Sequence, residues 1–82
     1  MTYPEAYREA TTWQRRIRLI FVYHTLMVRR NSSWKVTDTA KHFGISSGLA
    51  SESINLAEKY DKVKHCCSRA EALRTLKGIN NG

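Results

Sequence analysis

The chain has 82 residues, which is enough for one domain and too few for a multi-domain enzyme. Its residues are 41% hydrophobic and 26% charged, a composition that excludes a disordered or collagen-like chain. Fourteen Lys and Arg residues against seven Asp and Glu residues give a net charge of +7, which favours an anionic partner such as nucleic acid or an acidic membrane surface.

Two helices are predicted in the N-terminal half. Pro4 followed by Glu5 is typical of a helix start and predicts a short helix over residues 4–10. Apolar residues spaced by three, four and seven positions predict a long helix over residues 13–30. Its length without Gly or Pro favours a helix over a strand, although β-branched and aromatic residues are frequent in it. The residues expected to face the core are Trp13, Ile17, Ile20, Phe21, His24, Met27 and Val28.

The long helix has a second apolar arc, roughly opposite the first. The residues on this arc are Leu19, Val22, Tyr23 and Leu26. More apolar surface is present than one side of so small a domain usually hides. One interpretation is a homodimer interface, and the other is a central helix covered on both sides by the remaining helices. The sequence leaves both interpretations open.

Two further helices are predicted on either side of Gly44. Residues 31–33 are small and polar and break the chain. A new helix then begins near residue 36 and ends at Gly44, because glycine best tolerates the left-handed conformation of a C-terminal cap. Ser46 is well placed to cap the next helix, over residues 47–59. The residues of that helix expected to face inward are Leu49, Ala50, Ile54, Leu56, Ala57 and Tyr60. Those expected to face outward are Gly48, Ser51, Glu52, Asn55 and Lys59.

A last helix is predicted after a polar link over residues 61–67. The sequence SRAE at residues 68–71 fits the capping-box pattern, in which a serine and a glutamate satisfy backbone donors. The helix is expected over residues 68–77, with Gly78 as its end and a frayed tail beyond. The sequence therefore predicts a single all-α domain, a compact multi-helix bundle.

The two middle helices have the layout of a helix-turn-helix, with TAKHFGISSGLASESI at residues 39–54. Such a unit needs a small residue where the helices touch, which is Ala40, and a glycine at the tight turn, which is Gly44. The apolar residues placed to fix the angle between the helices are Phe43, Ile45, Ala50 and Ile54. A unit of this kind presents its second helix to the major groove of B-DNA. The pattern therefore predicts DNA binding.

Two segments beyond this motif add a family resemblance: NLAEKY at residues 55–60 and, after a lysine-bearing link, SRAEALRTL at residues 68–76. Together with the motif they resemble the DNA-binding domain of ParB and KorB-type partition proteins and of related small phage proteins, over about residues 34–77. The resemblance implies that the second helix of the motif enters the DNA site and that the following helices brace it. Only DNA binding is carried over, because a chain this short has no room for a partition-protein nucleotide-binding motif.

The expected DNA contacts fall into two sets. The base-reading candidates are Ser47, Gly48, Ser51, Glu52 and Asn55. Asn55 suits adenine, Glu52 suits the N4 amino group of cytosine, and a serine suits either a base edge or a phosphate. The phosphate-contact candidates are Lys35, Thr37, Lys41, His42, Ser46, Lys59, Lys62, Lys64 and Arg69, joined by Arg15, Arg18, Arg29, Arg30 and Arg74. The second helix carries no arginine, so strong guanine readout from it is not expected.

Each of these contacts has a simpler alternative. Ser51 and Asn55 are also typical of a solvated helix face, and Glu52 of a pair with a nearby lysine. Basic side chains in a short protein also serve solubility alone. Residues 35–58 carry a net charge of −1, whereas residues 1–34 and 59–82 carry +4 each, so positive charge lies beside the reading helix rather than on it.

Catalysis, metal binding and cofactors are not expected. The soft metal ligands are His24, His42, His65, Cys66 and Cys67, and the last three are consecutive, so their side chains diverge. No Ser/His/Asp set, phosphate-binding glycine loop or paired-carboxylate pattern is recognisable. Adjacent cysteines rarely form a disulfide, and reduced thiols are typical of a cytoplasm. The longest apolar-rich run, residues 19–28, is short of the roughly 20 residues that span a bilayer, so no membrane partner is expected.

We expect a DNA-binding protein, a small phage, plasmid or bacterial transcriptional regulator or DNA site-marking factor, in the bacterial cytoplasm or nucleoid. We expect a homodimer, which would bind an inverted repeat with half-sites about one helical turn apart. The first alternative is a protein-interaction adaptor on a helix-turn-helix scaffold, favoured by the nearly neutral middle segment. The second is a phage DNA-packaging recognition subunit of the small-terminase type.

Overall fold

The structure is a computed structural model that describes residues 2–81, with side chains over residues 2–78. This part of the chain is all-α and contains no strand, as predicted. The helices are α1 (Tyr3–Glu9), α2 (Trp13–Arg30), α3 (Val36–Phe43), α4 (Ser47–Glu58), α5 (Tyr60–Val63) and α6 (Arg69–Asn81). Within residues 2–81, no helix has both the length and the apolar character needed to cross a membrane.

Side-chain hydroxyl caps set the beginnings of α1, α2 and α4. The hydroxyls of Thr2 and Thr12, before α1 and α2, accept hydrogen bonds of 3.3 Å from the backbone N–H groups three residues later. Ser46 caps α4 in the same way, at 3.1 Å from the N–H of Leu49, which confirms its predicted role. Such a cap stabilises a helix by about 1 kcal/mol relative to alanine. The predicted bounds of the first four helices agree with the structure to within one residue.

Gly44 ends α3 in the left-handed conformation, with a φ of 70°, as predicted. Its N–H donates to the carbonyl of Lys41 at 3.2 Å, and the N–H of Ile45 donates to the carbonyl of Ala40 at 3.0 Å. This is the Schellman arrangement, which satisfies two carbonyls that the helix leaves without partners. The chain reverses sharply there, so only residues 44–46 separate α3 from α4.

Two clusters of buried residues form the core, and α2 contributes to both. The first cluster consists of Ile17, Leu56, Val63, Cys66, Ala72 and Leu76, and it joins α2 and α4 to α5 and α6. The second consists of Ile20, Phe43 and Ile54, with Tyr3 and Tyr7 of α1 among the half-buried residues packed against it. Ile17 belongs to the first cluster and Ile20, about one turn later on α2, to the second, so α2 connects the two clusters.

Only one side of α2 is covered by other helices. Most of its contacts are with α1, α3 and α4, and Ile17 also packs in the first core cluster with residues of α5 and α6. On its second apolar arc, Val22 and Leu26 remain 38% and 40% exposed, and Leu19 is half-buried. The interpretation of a central helix covered on both sides is therefore wrong for this arc, which faces outward.

Two residues of α2 lie elsewhere than predicted. Tyr23 is predicted on the outward arc, but its ring stacks on His42 at a centroid distance of 4.2 Å and meets Phe43 edge-on at 5.5 Å. Burial there raises the pKa of its phenol, so Tyr23 is half-buried against α3 rather than fully outward, and its predicted place at a dimer interface stays a prediction. Val28 is predicted in the core but is exposed, because residues 28–30 form a last turn that no other helix covers.

The segment between α4 and α6 is not the predicted polar link, since it contains α5 and two core residues. Val63 and Cys66 are buried in the first core cluster, although charged residues surround them in the sequence. Two apolar side chains three residues apart are enough to hold this segment against the core. Tyr60, predicted to face inward, is exposed and makes a tilted ring contact with Trp13 at 6.3 Å.

Helix α6 differs from the prediction at both ends. The hydroxyl of Ser68 accepts from the N–H of Glu71 at 3.2 Å, as predicted, but the Glu71 carboxylate accepts from the N–H of Cys67 at 3.0 Å. Gly78 does not end the helix, which continues to Asn81. A glycine inside a helix costs only about 0.5–1 kcal/mol relative to alanine, so it need not stop one. Gly82, the end of the predicted tail, lies outside the described residues.

Candidate nucleic-acid interface

Helix α4 presents a polar outer face. Ser47, Ser51 and Asn55 are exposed and spaced four residues apart, and Gly48 is exposed beside them. The buried residues of α4 are Ala50, Ser53, Ile54 and Leu56. This division follows from helical periodicity, because residues three and four apart share a side of the helix. The outward positions predicted for Gly48, Ser51 and Asn55 are confirmed.

Helix α3 holds α4 through the residues predicted to fix the angle between them. Ala40 and Phe43 of α3 and Ala50 and Ile54 of α4 are buried, and Ile45 in the turn is half-buried. Small alanine side chains on both helices allow a close approach of their backbones. The outer face of α4 is therefore carried on a packed pair of helices rather than on a mobile loop.

Thr39 anchors α3 to α2 and was not singled out from the sequence. Its side chain is fully buried, and its hydroxyl oxygen accepts a hydrogen bond of 2.8 Å from the indole N–H of Trp34. The same oxygen lies 2.7 Å from Nδ1 of His24 on α2. The buried hydroxyl proton needs an acceptor, and an unprotonated Nδ1 provides one at this distance. A neutral His24 ring with its proton on Nε2 satisfies this geometry.

The environment of His24 favours that neutral form. Burial lowers the pKa of the imidazole, and the Glu58 carboxylate nearby offsets part of the shift. The sequence predicted His24 on the core-facing side of α2, and the structure places it there, half-buried and hydrogen-bonded to Thr39. The side chains of His24, Trp34 and Thr39 thus connect α2, the loop before α3 and α3. These bonds hold in place the helix against which α4 packs.

The structure brings Glu52 and Arg69 together. Arg69 is the first residue of α6, and its Nη2 lies 2.8 Å from Oε1 of Glu52. Glu52 is therefore not the free outward carboxylate that was predicted, and its partner is an arginine rather than a lysine. The pair spans 17 residues of sequence, so no local pattern could have indicated it.

Most of the predicted phosphate contacts are exposed. The exposed members of that set are Lys35, Thr37, Lys41, His42, Ser46, Lys62 and Lys64, whereas Lys59 and Arg69 are half-buried. Lys41 and His42 belong to the last turn of α3, immediately before the turn that leads into α4. The His42 ring is parallel to that of Tyr23, with an angle of 2° between them, which fixes its direction.

A groove lies between α2 and the end of α4. It has a volume of about 600 Å³, and its apolar lining residues are Ile17, Phe21, Val22, Ala57 and Tyr60. Arg15 and Arg18 lie at its edge. The sequence does not reveal this groove because it depends on how α2 and α4 are placed relative to each other.

The two cysteines lie in different environments. Cys66 is buried, with its Sγ 3.5 Å from the hydroxyl of Thr75, whereas Cys67 is exposed. In the part of the chain that the structure describes, no three side chains among His, Cys, Asp and Glu converge as metal ligands would.

Comparison with known proteins identifies no relative: no family model, curated protein or solved structure matches the chain. The resemblance to partition-protein DNA-binding domains therefore stays a prediction.

Proposed function

We propose that the protein binds double-stranded DNA, with α3, the turn and α4 acting as a helix-turn-helix whose second helix enters the major groove. The observation that supports this most directly is the outer face of α4. Ser47, Ser51 and Asn55 form an exposed row of short polar side chains on a helix packed firmly from behind. Short side chains let a helix approach base edges closely, and their hydroxyl and amide groups match the donors and acceptors found there.

The distribution of charge supports the same proposal. Four exposed lysines flank α4 in the sequence: Lys35 and Lys41 before it, and Lys62 and Lys64 after it. Lysines in such positions contact phosphates and fix the register of the protein on DNA without reading sequence. The only carboxylate near the middle of α4, on Glu52, is neutralised by Arg69. An approaching phosphate backbone therefore meets little repulsion from the middle of α4.

We also propose that two copies associate through the outward arc of α2. Val22 and Leu26 are one turn apart and exposed there, which supports a contact with a second copy. Arg18 and Arg29 lie on the same side by helical spacing, and α2 carries no Asp or Glu. Like charges would thus face each other across the contact, so self-association is expected to be weak in the absence of salt or DNA.

A protein-interaction adaptor is the second candidate function, and the groove beside Phe21 and Tyr60 favours it. Replacing basic residues distinguishes the two functions. Under DNA binding, exchange of Lys41 and Lys62 for Gln weakens binding and lowers the salt dependence, by about 0.9 in the log–log slope for each phosphate contact removed. Under the adaptor function these exchanges leave partner binding in the apolar groove intact.

The test is a binding isotherm on a fluorescent random-sequence duplex at low salt, followed by selection from a random duplex library. DNA binding predicts saturable binding that weakens steeply with salt, and an enriched sequence after selection. Arg8→Gln is the matched control for a single exchange of Lys41 or Lys62, since it also removes one exposed positive charge but lies in α1, outside the proposed motif. No binding at low salt by the wild-type protein would contradict the proposal.

A further inference from the structure

The outer face of α4 acquires an arginine from another helix. No Arg or Lys occurs within Ser47–Glu58, so the helix alone offers no side chain of the kind that most often reads guanine. Arg69 begins α6, and its guanidinium reaches Glu52 at 2.8 Å. Glu52 lies on the margin of the exposed face, one residue after Ser51. The fold thus adds to this face a group that α4 lacks.

The ion pair leaves part of the guanidinium available. An arginine has five N–H groups, and one of them, on Nη2, is directed at Glu52. The Nε of Arg69 is buried without a partner among the described residues, while the side chain as a whole is 31% exposed. Three N–H groups remain, all on the two terminal nitrogens. The Glu52 side chain is 45% exposed, and its second carboxylate oxygen, Oε2, takes no part in the ion pair with Arg69.

We propose that Arg69 reads a guanine in the major groove and that Glu52 positions its guanidinium for this contact; this inference rests on the DNA binding proposed above. Guanine presents O6 and N7 as two acceptors side by side, which the two terminal nitrogens of an arginine match. The cytosine paired with that guanine presents its N4 amino group as a donor, for which Glu52 retains an acceptor. The pair of side chains therefore matches a G·C base pair.

Its pairing with Arg69 makes Glu52 compatible with a DNA surface. A free carboxylate there would repel phosphates, whereas one paired with an arginine carries no net charge. Holding the long Arg69 side chain in one direction also removes conformations that would otherwise be lost on binding. Glu52 is thus a positioning residue, and Arg69 is the residue in contact with the base.

The test begins with the duplex obtained by selection with the full wild-type chain. Each guanine in the enriched sequence is replaced by adenine and, separately, by 7-deazaguanine, which lacks the N7 acceptor. Wild-type protein is expected to discriminate against adenine at one guanine by about 5- to 150-fold, the range for one bidentate contact. At that same position 7-deazaguanine should also weaken binding. Because the substitution is made in the DNA, a misfolded protein variant cannot account for the loss.

Protein variants then assign the contact. Arg69→Ala should abolish the guanine preference, and Arg69→Lys should reduce it, since lysine keeps the charge but lacks the fork. Glu52→Gln should reduce that preference while phosphate attraction, read from the salt slope, is retained. Arg74→Ala is the matched control on α6, and it should weaken all duplexes equally.

A guanine preference that survives in both Arg69 variants, with uniform weakening, overturns the inference and leaves DNA binding intact. Binding by the wild-type protein without any base preference also overturns it and leaves a non-specific DNA-binding protein. If the wild-type protein binds no DNA at low salt, the proposed function fails, and the inference fails with it.

Discussion

Thr39 provides the sharpest test of how the candidate interface is held in place. Its buried hydroxyl serves Trp34 and His24 together, at 2.8 and 2.7 Å. In Thr39→Val the side chain keeps its shape but loses the oxygen, and both partner groups lose their hydrogen bond. A buried polar group without a partner costs about 1–3 kcal/mol, and partners that are only half-buried fall toward the lower end. We therefore expect a loss of about 2–3 kcal/mol in the free energy of unfolding.

This loss is large for a domain of this size. A chain of 82 residues is stable by roughly 4–12 kcal/mol, and 1 kcal/mol corresponds to about 4–8 °C in Tm. Thr39→Ser is the matched control, because it keeps the hydroxyl and removes one buried methyl group, at a cost of about 1 kcal/mol. Urea unfolding followed by tryptophan fluorescence measures both variants, and their m-values should be equal. A valine variant as stable as the serine variant would refute the proposed role of the hydroxyl.

Three further predictions concern the turn, His24 and the outward arc of α2. Gly44→Ala should destabilise the protein by about 1–2 kcal/mol, because φ is 70° there. Gly78→Ala, inside α6, should instead stabilise it by up to about 1 kcal/mol, and thermal melts measure both variants. Because burial lowers the His24 pKa below its value in the unfolded chain, the unfolded state binds the extra proton first, so stability should fall as the pH drops below about 6.5. His24→Gln should reduce that fall in pH-dependent urea titrations, and an unchanged profile would contradict the assignment of a neutral ring. Self-association measured by sedimentation should strengthen with added salt and be lost in Leu26→Lys, which adds a further positive charge to the contact. Association that weakens with salt would show that the arginines of α2 are not what opposes it.

The sequence predicted the local features of the fold well because local rules set them. Gly44 and Ser46 carry their own conformational and hydrogen-bonding preferences, so the turn between α3 and α4 follows from a few neighbouring residues. The same holds for the outward row of Ser51 and Asn55, which follows from helical periodicity once α4 is placed. Gly78 shows the limit of such rules, because a glycine permits a helix end without requiring it.

Features that depend on contacts distant in sequence were not predictable in the same way. The bond between Thr39 and His24 joins residues 15 apart, and the Arg69–Glu52 pair joins residues 17 apart. Both need the packing of one helix on another before they exist. The burial of Val63 within a charged segment likewise depends on the position of α6 rather than on its own neighbours.

The central claim is that the outer face of α4 lies against DNA, and one pair of variants measures it directly. Ser51→Glu places a carboxylate in the middle of that face, whereas Thr11→Glu places the same charge at an exposed position between α1 and α2. Both variants change the net charge equally, so long-range attraction to DNA changes by the same amount. Affinity for a random-sequence duplex at low salt should fall at least about tenfold more, about 1.4 kcal/mol, in Ser51→Glu than in Thr11→Glu. Equal affinities for the two variants would contradict the placement of α4 at the DNA.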